Sequence, residues 1–163
     1  SGWGCVVVAT RRFQVGEVIC DYHGRAITAK EGKEIHVNTS EEETGYMFFY
    51  KDKRGRCMCM DAQKEYCECH PEMQTVGRHI NHAGEGANLK TRLYTVDIDG
   101  EEKDVILFIA SKHIKVNEEL LFDYGNEWVL GIILYIIHNP PSTHSTNGLA
   151  MVGCPHRHSC ARL

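Results

Sequence analysis

The chain has 163 residues, 42% of them apolar and 25% charged, which suits one domain built around one core. Its formal charge of −4 argues against direct binding to a phosphate backbone, which wants a basic face. No secretory signal is legible, and the most apolar stretch, Trp128 to Ile137, is about half the ~20 residues that span a bilayer.

The predicted elements run as follows. The opening Ser1-Gly2-Trp3-Gly4 reads as the middle of something, so an N-terminal region is expected to be missing. Val6 to Ala9 is β-branched and apolar and reads as a strand. Gly16 marks a turn, and Val18 to Tyr22 reads as the next strand. Thr28 can cap a short helix over Ala29 to Val37, with Glu31 completing a capping box, although Gly32 weakens it. Asn38 to Gly45 is a polar loop whose run Glu41-Glu42-Glu43 is either simply solvated or attractive to a basic partner. Tyr46 to Tyr50 and Arg56 to Met60 read as strands joined by a charged hairpin loop over Lys51 to Gly55. Lys64 to Thr75, with Pro71, is mostly loop.

Leu89 to Ile98 reads as a strand, turned by Asp99-Gly100 into a buried strand over Val105 to Ala110. Val116-Asn117 makes a turn, since Asn tolerates a left-handed backbone. Leu120 to Phe122 is a last short strand. Trp128 to Ile137 reads as a buried helix or strand, broken by Asn139-Pro140-Pro141, and Ser142 to Leu163 reads as disordered. Many short strands, one or two short helices and long loops make a mainly β domain with irregular connections.

The chain has eight cysteines. Without a signal peptide a disulfide framework is the weaker reading. Cys57, Cys59, Cys67, Cys69 and His70 could supply zinc ligands, as could Cys154, His156, His158 and Cys160. Alternation along a strand instead puts Cys57 and Cys59 on one face as small buried thiols, and no metal site is expected.

The most specific signal is Arg78-His79-Ile80-Asn81-His82 followed by Glu118-Glu119-Leu120-Leu121-Phe122-Asp123-Tyr124-Gly125. Gly2-Trp3-Gly4 and Tyr22-His23-Gly24 precede them. Four short motifs in this order resemble SET-domain lysine methyltransferases. The resemblance implies small curved sheets around a knot-like crossing, in which the segment after Asn-His threads under the one carrying Asp-Tyr-Gly. It implies a SET domain over 1–125 and an atypical, partly disordered C-terminal extension over 126–163.

The same resemblance implies methyl transfer from S-adenosylmethionine to a lysine side chain. A lysine of pKa ~10.4 is neutral about once in a thousand at pH 7.4, a cost near ~4 kcal/mol. An apolar aromatic channel lowers that pKa, and a tyrosine hydroxyl can orient the amine. Tyr124 corresponds to the catalytic tyrosine, and Tyr22 and Phe122 line the same channel. Gly2, Trp3 and Gly4 would let backbone approach the cofactor, with Tyr46, Asn81 and His82 as further contacts. Arg78 and Asp123 are expected to brace the threaded segments.

Cys59-Met60-Asp61-Ala62, Gly77 to His82, Val96 to Gly100 and Ile109-Ala110-Ser111 look most like the histone H4-specific lysine monomethyltransferases. That branch implies a nuclear, chromatin-associated monomer acting on the H4 tail or nucleosome and on some non-histone lysines. Ala83 stands where other branches have Ser-Cys, so their zinc site is not expected.

Cys5 and Val6 look like inserted residues, and Tyr66 to Gln74 looks longer than the family's connection. Phe122 replaces the branch's tyrosine, which implies room for a second methyl. The chain after Asn126 does not resemble the branch's closing helix. Two alternatives are a catalytically inactive SET-like chromatin-binding module and a zinc-binding interaction domain.

Overall fold

The computed structural model describes residues 6–39, 46–66, 71–72 and 74–123. Gly2, Trp3, Gly4, Cys5, most of the acidic loop, Cys67 to His70, Tyr124 and the 126–163 extension lie outside the described residues. The strand expected over Val6 to Ala9 does not form as a continuous ladder: Val8 makes an isolated bridge to Glu119. The segment still pairs, since Ala9 N–H donates to Glu118 O at 3.0 Å and Leu120 N–H to Val7 O at 2.9 Å.

β1 (Val18–Asp21) follows Gly16, whose φ of 90° only glycine adopts freely. β2 (Arg25–Thr28) is a strand that polarity conceals, because three of its four residues are exposed. Helix α1 (Ala29–Asn38) starts as expected: Thr28 Oγ1 accepts from Glu31 N–H, and the Glu31 carboxylate accepts from Thr28 N–H at 2.8 Å. Gly32 costs the helix about 1 kcal/mol of propensity. It also allows close docking, since a Cβ there would lie 2.9 Å from Cys59 Sγ.

β3 (Met47–Lys51) and β4 (Cys57–Asp61) form the expected hairpin. Its loop closes on Asp52, whose Oδ1 accepts from the N–H groups of Arg54 and Arg56 at 2.9 and 2.8 Å. The two strand cysteines part company: Cys59 is buried, but Cys57 is exposed because β4 only begins there, opposite Lys51.

Past a 3-10 turn at Gly77–His79 come β5 (Asn81–His82), β6 (Leu89–Ile98), β7 (Glu101–Ala110) and β8 (Leu121–Asp123). β6 has its predicted ends. β7 begins earlier than the Val105 expected, because the turn at Asp99 (φ 55°) and Gly100 (φ 82°) keeps the pairing going from Ile98↔Glu101 to Leu89↔Ala110. Asn117 takes the left-handed backbone expected of it, φ 64°.

The strands form two sheets, β1-β7-β6-β8-β5 and β2-β4-β3. β8 lies between β5 and β6 and runs parallel to both, so a late segment is inserted between two earlier neighbours. The core between the sheets includes Val7, Tyr22, Phe48, Tyr50, Ile106, Phe108, Leu120 and Phe122.

Gly77 opens the turn into β5 and has no room for a side chain, since a Cβ there would fall 2.0 Å from Asp21 O. Gly77→Ala is expected to cost roughly 1–3 kcal/mol in urea denaturation. Gly84→Ala, with nothing within 4 Å, serves as the control and should stay within about 0.5 kcal/mol.

Candidate active site

The site is built on the inserted strand. Asn81 pairs with Leu121, and His82 with Phe122. On the other flank Leu89 pairs with Phe122. Ala83 N–H donates to Phe122 O at 2.9 Å. The Asn-His pair and the approach to Asp-Tyr-Gly, far apart in sequence, are therefore neighbours through backbone pairing. Asn81 is exposed, and its Nδ2 lies 3.5 Å from Glu119 Oε1, at the outer limit of a hydrogen bond. His82 Nε2 lies 3.7 Å from Asp123 Oδ1, within ion-pair range, in line with the brace expected of Asp123.

Beside the polar pair stands an aromatic wall. Phe122, 2% exposed, meets Phe108 edge-on with centroids 5.1 Å apart, and Phe48 at 6.1 Å. Tyr22 is 5.2 Å from Phe48 and 6.3 Å from Phe108. The His82 ring stands edge-on to Phe122 at 5.7 Å. Tyr22, Phe122 and His82 thus share one cluster, joined by Phe48 and Phe108. Neither of those two carries a motif. The available signal was period-2 alternation, which puts Phe48 and Tyr50 on the same inward face of β3.

Tyr46 belongs to a second cluster. The Arg78 guanidinium stacks 3.9 Å above its ring, and the His79 ring meets it edge-on at 5.6 Å. Arg78 Nη1 also donates to the carbonyls of Ala62 and Gln63 at 2.7 and 2.9 Å. Ala62 N–H in turn donates to Tyr46 O at 2.8 Å. Arg78 thus ties the chain after β4 to the Tyr46 ring, and that ring belongs to a predicted cofactor residue. His79 lies inside the Arg78 to His82 motif, but sequence alone assigns it no role. Burial, reinforced by the Arg78 charge and opposed by Glu65, lowers its pKa. Its Nδ1 is buried with no hydrogen-bond partner among the described residues.

Among the described residues no group of three or more metal-ligating side chains comes together. A cleft of about 800 Å³ opens between the β1–β2 turn, the β3–β4 loop and the far end of the β6–β7 hairpin. It is lined by Tyr22 but not by Asn81, His82 or Phe122, so it is a separate feature. An exposed amide and a part-buried imidazole thus stand beside a dry aromatic wall, and Tyr46 is pinned by Arg78 and His79 just ahead of the Asn-His pair.

The SET domain family model matches residues 4–125. The chain belongs to the SET domain family. The match takes in Gly4, Tyr22, Tyr46, Asn81, His82, Phe122 and Tyr124, and starts after Gly2 and Trp3. The N-lysine methyltransferase KMT5A of Xenopus tropicalis is 33% identical over 127 residues, covering 77% of this chain and 34% of its own. The histone-lysine N-methyltransferase set-1 of Caenorhabditis elegans is 35% identical over 116 residues, covering 70% of this chain and 43% of its own. The Chaetomium thermophilum polycomb repressive complex 2, solved in an autoinhibited conformation bound to S-adenosylmethionine, is similar with a TM-score of 0.52 and 25% identity, over 80% of this chain and 15% of that one. The chain therefore spans about a third to two fifths of these curated relatives' length. As SET-domain elements, β5 carries the Asn-His motif, and β8 leads into Asp-Tyr-Gly.

His79 gives the site a pH signature. With a depressed folded pKa, its neutral form is favoured by folding. Its contribution to stability is complete above the ordinary value of about 6.5 and is lost as pH falls toward the folded value. The His79 resonance is expected to titrate below about 6.5 by NMR. His79→Leu should flatten the dependence of Tm on pH between about 7 and 5, and a midpoint at or above the ordinary value contradicts this.

Proposed function

We propose that this SET domain is the catalytic part of a protein-lysine N-methyltransferase that uses S-adenosylmethionine and acts on the histone H4 tail, free or nucleosomal, in the nucleus. The observation that carries the reading is the insertion of β8 between β5 and β6, which sets Phe122 and the aromatic wall against Asn81 and His82. The similarity to N-lysine and histone-lysine methyltransferases supports the reaction class, and the similarity to a complex bound to S-adenosylmethionine supports the cofactor.

The chemistry follows from the wall. The bound cofactor supplies an electrophilic methyl on a positively charged sulfur. The substrate amine would have to arrive neutral to accept that methyl, so the part left to this chain is to favour loss of the amine's proton before transfer. Tyr22, Phe48, Phe108 and Phe122 keep water away and make the ammonium form costly. Tyr124, outside the described residues, is assigned the hydroxyl that orients the amine. Gly2, Trp3 and Gly4, also outside them, are assigned to the cofactor with Tyr46, Asn81 and His82. The net charge of −4 suits a basic substrate, with non-histone lysines as further targets, and the protein acts as a monomer. Domain boundaries at 1–125 and 126–163 belong to the same reading.

Transfer of labelled methyl from S-adenosylmethionine to histone H4 is the direct test. The parent should label H4, and Tyr124→Phe should lose most of that signal, on the order of a hundredfold. Labelling no greater than the mutant's would favour the inactive, chromatin-binding alternative. S-adenosylhomocysteine should raise Tm independently of any substrate.

Phe122 supports a finer proposal about product. It is buried and puts no hydroxyl into the wall, where the branch that the sequence resembles has a tyrosine. Mass spectrometry of an H4 peptide under excess enzyme should show dimethyl-lysine, and Phe122→Tyr should shift the product toward monomethyl. A parent that stops at one methyl rejects the assignment.

A further inference from the structure

Asn88 is a buried amide, 3% exposed, between Ala87 and Leu89. Every polar group it owns has a partner. Its backbone N–H donates to Leu121 O at 2.9 Å, and its carbonyl accepts from Ser111 N–H at 2.8 Å. Its Oδ1 accepts from Leu121 N–H at 2.9 Å. Its Nδ2 donates to Glu119 O at 2.8 Å and to Glu118 Oε1 at 3.1 Å. Four of these five bonds land on the stretch that leads into β8. An amide buried this far would be costly if any of its groups went unmet, so this completeness is an argument about purpose.

The purpose is register. β8 has only three residues, and its ladders to β5 and β6 hold two pairs each. So short a strand has little pairing of its own with which to resist sliding, and a one-residue slip would turn Phe122 to the opposite face. Asn88 precedes Leu89, the partner of Phe122, and grips Leu121 by both N–H and carbonyl. Glu118 extends the grip: its other oxygen accepts from Lys115 N–H at 2.8 Å, which ties the Asn117 turn to the same amide.

We infer that Asn88 is a positioning residue for methyl transfer: by locking the register of β8 it places the Phe122 ring against Tyr22's aromatic cluster and His82. The inference rests on the methyltransferase reading above. It assigns no contact with cofactor or substrate to Asn88 itself.

The test compares the parent chain with Asn88→Asp, which keeps the shape and the acceptor for Leu121 but loses both donors and faces Glu118 with a second carboxylate. Assays are run well below each variant's Tm on H4 peptide. The expected result is a fall in kcat of roughly ten- to a hundredfold with a much smaller change in peptide KM, together with a changed mono- to dimethyl ratio. Adding Glu118→Gln to Asn88→Asp restores a donor–acceptor pair with the roles exchanged, and should recover much of the loss. Should Asn88→Asp fail to fold, Glu118→Ala removes one of the Asn88 bonds together with the Lys115 N–H bond, and should show a smaller, few-fold kcat loss with the same product shift.

A variant with lower Tm but unchanged kcat and product ratio overturns the inference, because a merely structural amide behaves that way. A parent without transfer activity instead refutes the methyltransferase reading. In that event the Leu121 amide exchange rate and the His82–Phe122 ring NOE still tell whether Asn88 holds the register. Both unchanged in Asn88→Asp means that it does not.

Discussion

A strand of three residues cannot hold its place by its own hydrogen bonds, yet the position of β8 decides where Phe122 sits. The protein resolves this by surrounding β8 with partners drawn from elsewhere: β5 on one flank, β6 on the other, and the Asn88 amide across the entry. Leu120, immediately before the strand, is fully buried and donates to Val7 O, so the entry is held by packing as well. Backbone groups taken out of water must be paired, and here the pairing requirement itself fixes the geometry of a functional surface.

Around that strand the side chains separate into two kinds of environment. Tyr22, Phe48, Phe108 and Phe122 form a tilted and edge-on aromatic cluster with His82 at its border. Such a wall disfavours a cation and favours the neutral amine that nucleophilic attack needs. Tyr46, by contrast, is held by charge and polarity, under the Arg78 guanidinium and against His79. In the proposed reaction the dry part would take the reacting amine and the polar part the cofactor. The 3-10 turn at Gly77–His79 links them, because Arg78 and His79 face Tyr46 just before the chain enters β5.

The second sheet and α1 hold the first in place, and β3 also lends Phe48 to the aromatic wall. Gly32 lets the helix settle on Cys59, and Gly77 lets the turn lie against the Asp21 carbonyl. Both glycines give up conformational stability for approach distances that a Cβ would forbid. Tyr50 then crosses between sheets, its hydroxyl donating to Asp104 at 2.9 Å. Burial, followed by that hydrogen bond, pushes its phenol well above the usual tyrosine range, so it stays protonated and serves as a fixed donor.

Local chemistry was legible from the chain alone. The Thr28–Glu31 capping box, the Asp99-Gly100 turn, the left-handed Asn117 and the ends of β6 follow from interactions among near neighbours, which a linear sequence displays. The Asn-His and Asp-Tyr-Gly segments were legible as motifs of the SET family, which matches residues 4–125. What the sequence could not display was anything made between distant segments. β2 and β5 were hidden because their residues are polar or few. Val8 makes an isolated bridge to Glu119 rather than a strand, with Val7 and Ala9 bonded to Leu120, Glu118 and Asn117 around it. Phe48, Phe108 and Asn88 gained their roles only when β8 came to lie between β5 and β6, and His79 when Tyr46 came to lie against it. An amide beside an alanine looks like a loop residue until a strand from further along the chain needs its donors and its acceptor, and only the tertiary structure brings that strand to it.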